Sequence, residues 1–368
     1  MIEKEEIAEV LSRYDISHIH MTSFSSHSYL NTTYGAKQEG LKTLGIMQAS
    51  RLPYYEAFAA TRPDVTLTIE KPEDILDEKF QKKLRSYNSI VVPTPSFYEF
   101  LGAENLENEF LVPQIGIREI TWESNRERQR EWLQTAGVEI PEEFEEPSDI
   151  DRLCIVKFHG AKGGEKFPLV KSEKDFYREM KKRNIDPEKT KYTIQEYIPG
   201  SRFYCHMFFS PFSEKGLRIS DGYVEILGFD QRMESPIDEL HRTGLTRKEM
   251  KELGIEESFT VVGNRLVIPR EKLQIPYYNI GKKIVEASQQ LFPPGLRGPF
   301  CPETVVTKDL KIFTFELSPR IVAGTNAHSP QGAPEGWYTW EEPMSMGRRI
   351  AREIKLAIEK NRLEEIVY

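Results

Sequence analysis

The sequence predicts an α/β protein of more than one domain, and three observations carry that reading. Residues 16–92 alternate β-rich and helical runs across short connections, which indicates a parallel sheet covered by helices. From residue 153 onward, β-rich runs follow one another across Gly- and Pro-bearing turns. At 368 residues the chain is long enough for two domains, or three, each with its own core.

Ile2–Tyr14 opens as a helix, with Ile7, Val10 and Leu11 on one face. Ile19–Phe24 is the first strand. The loop Ser25-Ser26-His27-Ser28 follows, then a helix from about Tyr29 to Glu39 that Gly40 stops. Thr43–Met47, Val65–Ile69 and Ser89–Val92 are further strands, with Pro72–Arg85 as a helix between the last two. Ligands of parallel sheets collect beyond the carboxyl ends of strands, which singles out Ser25–Ser28 and Pro93–Ser96. Helix starts offer N–H groups to anions, and Ser and His side chains add to them. The simpler alternative makes Ser25, Ser28 and Ser96 helix caps. His27 is the stronger candidate; His18 and His20, astride a strand start, read as structural.

Trp122–Ala136 reads as a charged amphipathic helix with Trp122, Trp132 and Leu133 as its apolar members. Glu139–Asp151 is an acidic, Pro-punctuated surface connection. Leu153–Phe158 is a strand carrying Lys157, His159–Gly164 a Gly-rich loop, and Phe167–Val170 the returning strand. The loop matches neither GxxxxGK[ST] nor GxGxxG. A Gly-rich hairpin can still lie over phosphates, with Lys157 and Lys162 supplying charge, although such tips are common. Thr193–Ile198, Arg202–Phe209, Tyr223–Phe229, Phe259–Val262 and Arg265–Ile268 are strands; Lys272–Leu291 and Ser345–Glu359 are helices. No internal repeat is present.

Composition excludes some classes. A net charge of −8 argues against a general nucleic-acid or membrane-surface binder. Cys154, Cys205 and Cys301 lack CxxC spacing and read as buried thiols in a reducing compartment. Met1–Glu9 is acidic without an apolar core, so no signal peptide is expected. The uncharged stretch between Asp15 and Lys37 is too polar for a membrane span. A cytoplasmic location is the default.

The chemistry concentrates between Gly295 and Asn326. Glu303–Thr307 and Ile312–Leu317 flank a turn at Lys308–Lys311. A hairpin symmetric about Asp309-Leu310 pairs Thr307 with Ile312, Val305 with Thr314, and Glu303 with Glu316. Opposed strand residues have Cβ atoms roughly 5 Å apart, and like charges there repel. Two facing carboxylates suit a hard cation such as Mg²⁺ beside substrate phosphates. Alternatively one Glu points to solvent or pairs with Arg297 or Arg320. Ser318-Pro319-Arg320 and the turn Ala323-Gly324-Thr325-Asn326 add a hydroxyl, a guanidinium and polar groups beside the second acid, a plausible phosphate and metal platform.

The order of IVKFHGAKGG, QEYIPG and acid-bearing strands ending in FELSPR resembles the ATP-grasp superfamily. The resemblance implies an ATP-grasp domain over residues 122–368, its lid at about 152–200, after a Rossmann-like pre-ATP-grasp domain over residues 1–121. More narrowly, SSHS, NSIVVPTPSF, ENEFLVP, WES, GFDQRMES, VVGN, PPGLRGPFC, GTN and EPMSMGRRIAREIK follow the order of the archaeal formate-dependent synthetases of purine biosynthesis, the PurP family. That similarity implies formylation of 5-aminoimidazole-4-carboxamide ribonucleotide (AICAR) to its formamido product (FAICAR) with ATP and formate, through formyl phosphate. It implies Mg²⁺, or Mn²⁺, as the metal, and a homo-oligomer with a hexamer as the expected form. Position by position it implies Lys157, Gly160, Lys162, Gly163 and Gly164 on the ATP phosphates. Gln195, Glu196, Tyr197 and Ile198 fall at the adenine edge, and Glu234 at a further ATP contact. Glu303 and Glu316 fall on the metal, and Lys157 and Arg320 on the developing charge. His27, Ser96, Asn264, Thr325 and Asn326 fall on AICAR.

The chain departs from the family in Glu303 (commonly Gln), His159 (commonly Pro), Glu165-Lys166 (commonly a further Gly) and Ala323 (commonly Asp). Two other readings stay open: a related ATP-grasp ligase joining a different acid or amine, and a nucleotide-binding subunit without turnover.

Overall fold

The computed structural model describes residues 1–158, 167–255 and 259–368. In the first part, four short apolar runs pair side by side. β1 (His20–Phe24), β2 (Lys42–Gln48), β3 (Val65–Ile69) and β4 (Ser89–Val91) form a parallel sheet in the order β3-β2-β1-β4. β4 is buried at every residue and β1 at all but its first, as strands covered on both faces must be. β3 lies at the edge and alternates between exposed and buried positions.

Two expected helices are each broken in two. Pro72–Leu76 is a tight helical turn and Glu78–Ser86 a separate α-helix, because Asp77 between them is extended. Within Trp122–Ala136, Asn125 is extended and its Oδ1 accepts from the Glu127 and Arg128 N–H groups. A new helix therefore starts there, as an Asn cap favours.

The second part holds two antiparallel sheets. β5 (Glu143–Phe144), β6 (Cys154–Phe158), β7 (Leu169–Val170) and β8 (Tyr192–Glu196) form the smaller, in the order β5-β8-β6-β7. The acidic stretch 139–151 thus contributes a strand and is more than a surface connection. Helix Glu173–Lys182, capped by Ser172, packs Phe176 and Met180 onto this sheet.

The larger sheet comprises β9 (Ser201–Ser210), β10 (Leu217–Ile219), β11 (Gly222–Pro236), β12 (Phe259–Val267), β13 (Gly298–Val306) and β14 (Ile312–Ser318). Its order is β10-β11-β9-β13-β14, with β12 paired to the far half of β11. The two strands expected within 259–268 are one. β11 runs past Phe229 to Pro236 and pairs with β12 on through Asn264 and Gly263, with a register shift at Val262. Cys205, Met207 and Phe209 of β9 face helix Gln274–Leu291 and its Tyr277, Ile284 and Val285. The alternate residues Tyr204, His206 and Phe208 lie on the opposite face.

Helix Met346–Glu359 joins the parts. Its Ile350, Ala351 and Ile354 pack with Ile19 just before β1, with Met21 and Ile90 of the first sheet, and with Phe208 and Leu227 of the large one. Gly347 lets it touch helix Tyr29–Gln38: a Cβ there would lie 2.2 Å from the Asn31 carbonyl oxygen. Beneath it, Arg349 bonds Glu225 of β11 (2.8 Å) and Glu353 (2.9 Å), all three side chains fully buried. Tyr368 exchanges two backbone hydrogen bonds of 2.9 Å with Gln114, which adjoins β4 through Val91.

Candidate functional site

A three-residue loop, Lys308–Leu310, joins β13 to β14, closed by the Thr307 N–H donating to the Lys311 carbonyl at 2.9 Å. Leu310 stands in the left-handed region at φ +61°. This is the geometry of a type I turn followed by a left-handed residue, and Asp-Leu does not favour the two-residue alternative. The pairs are therefore Val306–Ile312, Val305–Phe313 and Thr304–Thr314. Each is one residue off the expected Thr307–Ile312 and Val305–Thr314. A β-bulge then adds Phe315 to β14, and Glu303 faces Glu316 after all.

The ladders extend this pair across the sheet. Glu316 opposes Glu303, Glu303 opposes Tyr204, and Tyr204 opposes Asp230, one residue each from β14, β13, β9 and β11. Directly opposed residues share a face, so the row lies on the face away from helix Gln274–Leu291. Arg232, two residues beyond Asp230, reaches Glu303 at 2.9 Å and lies 4.3 Å over the Tyr204 ring. The partner of Glu303 is thus Arg232, whereas Arg297 lies over Phe209 and Arg320 pairs with Glu123. Ser318 Oγ donates to the other Glu303 oxygen at 3.2 Å. Burial and then Glu316 raise the Glu303 pKa to about 7, against the opposing pull of Arg232 and Arg320.

Of the two facing acids Arg232 contacts Glu303 alone, so the pair can still take a divalent cation on the Glu316 side. Each Glu303 oxygen takes one donor and keeps a further lone pair, and Glu316 is exposed. Among the described residues no cluster of three or more His, Cys, Asp or Glu side chains is shaped for a metal. A cation here would take its remaining oxygens from phosphates and water.

On the smaller sheet, Lys157 Nζ donates to Gln195 Oε1 at 2.7 Å, Gln195 Nε2 to Glu143 at 3.2 Å, and Arg130 pairs with Glu143 at 3.1 Å. Burial lowers the Lys157 pKa, opposed chiefly by the field of Glu316, which links the two sheets electrostatically. Glu196 sends its side chain to the Glu142 N–H and Arg152, and the Tyr197 N–H donates to the Leu153 carbonyl. Tyr197 and Ile198 are half-buried. Glu234 lies 3.6 Å from Arg202, whose guanidinium sits over Phe315. Gly160, Lys162, Gly163 and Gly164, with His159 and Glu165-Lys166, lie outside the described residues.

The first sheet supplies the other wall. Thr94 Oγ1 is the true cap of helix Pro95–Leu101, accepting from the Phe97 N–H, so Ser96 does not cap. Ser28 precedes helix Tyr29–Gln38 at φ +70° and makes no side-chain cap bond, and Ser25 Oγ accepts from the Gln48 N–H. The capping alternative fails for all three serines. His27 is held neutral, its pKa lowered to about 4 by burial and then by Arg320. Asn31 Nδ2 donates to the Thr325 carbonyl (3.2 Å) and hydroxyl (3.3 Å), fastening the 323–328 segment to helix Tyr29–Gln38. Thr325 is buried, Asn326 exposed and Asn264 half-buried. Asn264 Nδ2 donates to Asp230 at 2.7 Å.

Arg320 is where the walls meet. It pairs with Glu123 at 2.6 Å, both largely buried, and its field acts on His27 on one side and Glu303 on the other. Glu123, Arg232, Tyr204, His206 and Asp230 were not among the candidates read from sequence. Only strand register brings Tyr204 and Asp230 into the row and His206 and Arg232 beside it, though period-2 spacing of Tyr204 and His206, and of Asp230 and Arg232, was there to read.

Comparisons with known proteins agree along the whole chain. Residues 172–368 match a family described as "Domain of unknown function (DUF1297)", and residues 21–144 one described as "Protein of unknown function (DUF1246)". A protein of Korarchaeum cryptofilum, 43% identical over 373 residues and matched over all of both chains, is named 5-formaminoimidazole-4-carboxamide-1-(beta)-D-ribofuranosyl 5'-monophosphate synthetase. The solved structure of an IMP biosynthesis protein PurP from Thermococcus kodakaraensis aligns with TM-score 0.71 at 29% identity, over 95% of this chain and 100% of that one. N5-carboxyaminoimidazole ribonucleotide synthetase from Thermotoga maritima aligns with TM-score 0.53 at 14% identity, over 92% and 76%, a likeness of fold alone.

Proposed function

Starting from the fact that this chain belongs to the FAICAR synthetase (PurP) family, ATP-grasp ligases of purine biosynthesis, we propose how its residues divide that reaction. In this reading residues 1–121 are the Rossmann-like pre-ATP-grasp domain and 122–368 the ATP-grasp domain, with the smaller sheet as its lid. A formate oxygen attacks the γ-phosphorus of ATP and the bond to the ADP oxygen breaks, giving formyl phosphate and ADP. The 5-amino nitrogen of AICAR then bonds to the formyl carbon. The carbon–oxygen bond to phosphate breaks, and the amine proton leaves with phosphate.

Neither step needs a protein nucleophile, so catalysis lies in alignment and charge stabilisation. Alignment alone can contribute on the order of 7–11 kcal/mol in favourable cases. Lys157 takes the ATP phosphates, Gln195–Ile198 the adenine edge, and Glu234 a further nucleotide contact. His27, Ser96, Asn264, Thr325 and Asn326 take the ribonucleotide. Neutral His27 serves as a hydrogen-bonding group and leaves the positive charge to Arg320. Glu303 and Glu316 would hold a divalent cation, Mg²⁺ or Mn²⁺, which when bound neutralises phosphate charge. The walls exclude water from formyl phosphate, which hydrolyses. No described helix is long and apolar enough to cross a membrane; with the family resemblance, the reading is a cytoplasmic homo-oligomer.

The observation that supports this best is Arg320, within electrostatic range of both the acceptor-side His27 and the carboxylate Glu303. ADP release measured with formate and AICAR each omitted in turn tests it. The expected result is formylated product only with both present. ADP release indifferent to formate would overturn the reading.

A further inference from the structure

A polar group beneath the 323–328 segment has no part in the steps above. Asp230, 1% exposed, accepts from fully buried His206 Nε2 at 2.8 Å through Oδ1, and from Asn264 Nδ2 at 2.7 Å through Oδ2. His206 Nδ1 has no partner among the described residues. Gly324 rests on the carboxylate, since a Cβ there would lie 2.2 Å from Oδ1. His328 Nε2 donates to the Phe229 carbonyl at 3.0 Å, and its ring meets that of His206 edge-on at 5.0 Å. One buried carboxylate therefore sits under both Asn264 and the Gly324–Thr325–Asn326 turn.

An ionised carboxylate only accepts hydrogen bonds. Asp230 is kept ionised, its pKa held low by His206 and Asn264 against burial. Asn264 must then turn its NH₂ group toward Asp230, leaving its carbonyl oxygen as the acceptor for an incoming group. Without that constraint the two ends of an amide are nearly alike in shape, and the donor end can face the ligand as readily.

We propose that Asp230 is a positioning residue for the acceptor ribonucleotide, fixing the Asn264 amide with its oxygen outward to accept an N–H of the aminoimidazole carboxamide. This rests on the reading of Asn264 as an acceptor ligand. Asp230 also sets the height of the turn that Gly324 carries, so both acceptor-side elements share one support. A base offering an acceptor in place of that N–H is disfavoured.

The test is calorimetric binding of AICAR and of ATP, with steady-state kinetics, for Asp230→Asn and the swap Asp230→Asn/Asn264→Asp. In Asp230→Asn, the new NH₂ group faces that of Asn264 and the latter flips. AICAR should bind about tenfold or more weakly and its KM rise accordingly, with ATP affinity and kcat within about twofold. In the swap, Asn at 230 donates to Asp at 264, whose other oxygen is again an outward acceptor. AICAR affinity should return to within about threefold of wild type. Equal losses for AICAR and ATP, or a folded swap no better than Asp230→Asn, would overturn the proposal. If Asp230→Asn alone does not fold, the swap decides by the same criterion, and a swap that does not fold counts against it. A wild-type protein that neither binds nor formylates AICAR overturns the functional reading itself. A wild type that does both, with Asp230→Asn unchanged, overturns this proposal alone.

Discussion

Burying one carboxylate opposite another costs free energy until a proton or a cation arrives. Glu303 has its pKa raised from the ordinary 4.5 to about 7, by burial and then by Glu316. Because the folded value lies above the unfolded one, its stabilising contribution is complete below about pH 4.5. That contribution is lost as pH rises through about 7, an effect on the order of 3 kcal/mol. Without divalent cation, wild type should lose melting temperature relative to Glu303→Gln between about pH 5 and pH 8, and added Mg²⁺ should close the gap. Thermal denaturation across that range, with and without Mg²⁺, checks it; parallel curves would remove the pair from metal binding. In turnover, Glu303→Gln should stay substantially active at a higher Mg²⁺ requirement, while Glu316→Gln loses orders of magnitude. At this scale the sequence was legible in part. The opposed acids could be read, but through a symmetric turn that does not exist, rescued by the bulge at Phe315. Asp230 and Arg232 could not be placed, because which strand neighbours β11 is not written in β11.

Among elements, the contact of helix Met346–Glu359 with helix Tyr29–Gln38 allows the least change. Gly35 and Gly347 face across it, and a Cβ on Gly35 would lie 2.1 Å from the Arg348 nitrogen. No rotamer relieves a clash with backbone, so the helices must separate. Gly347→Ala should cost about 1–3 kcal/mol or more, read as a lower denaturant midpoint at unchanged slope; a loss under half a kcal/mol would mean the helices move apart freely. Elements held by local signals were read well: β3 coincides with the expected Val65–Ile69, and the helix expected over Ser345–Glu359 spans Met346–Glu359 with Ser345 as its cap. Errors fell where one side chain outweighs periodicity, as at Asn125, and where the backbone turns extended between two helical runs, as at Asp77. Others fell where a distant partner extends a strand, as β11 does for β12.

At the scale of the molecule, the helix that joins the two parts is bolted to the large sheet by Arg349 between Glu225 and Glu353. Ser210 and Trp340 donate further bonds to the acids, and the Arg349 guanidinium lies 4.0 Å over Phe208. Arg349→Met would strand two buried carboxylates, a loss of about 3–5 kcal/mol. Burial already raises the Glu353 pKa, and removing Arg349 raises it further. The deficit should therefore be smaller near pH 5 than near pH 8, since protonation relieves a raised carboxylate at low pH and its contribution vanishes as pH rises. Urea midpoints for the variant at both values test this, and a deficit independent of pH would count against it. None of this was legible in sequence. The apolar face of residues 345–359 could be seen, but not that it meets residues some three hundred positions earlier.

That separation sets an order in time. A ribosome completes β1 to β4 and their loops long before it makes the helix that packs beside helix Tyr29–Gln38. At the usual rates of synthesis the interval of roughly 250 residues is on the order of 13–50 s. Through it, Ala36, Met21 and Ile90 lack the cover of Ile350 and Ile354. The first sheet of this chain is begun early and covered only once residues 346–359 are made, so the nascent protein must carry an unsealed seam through all the synthesis between them.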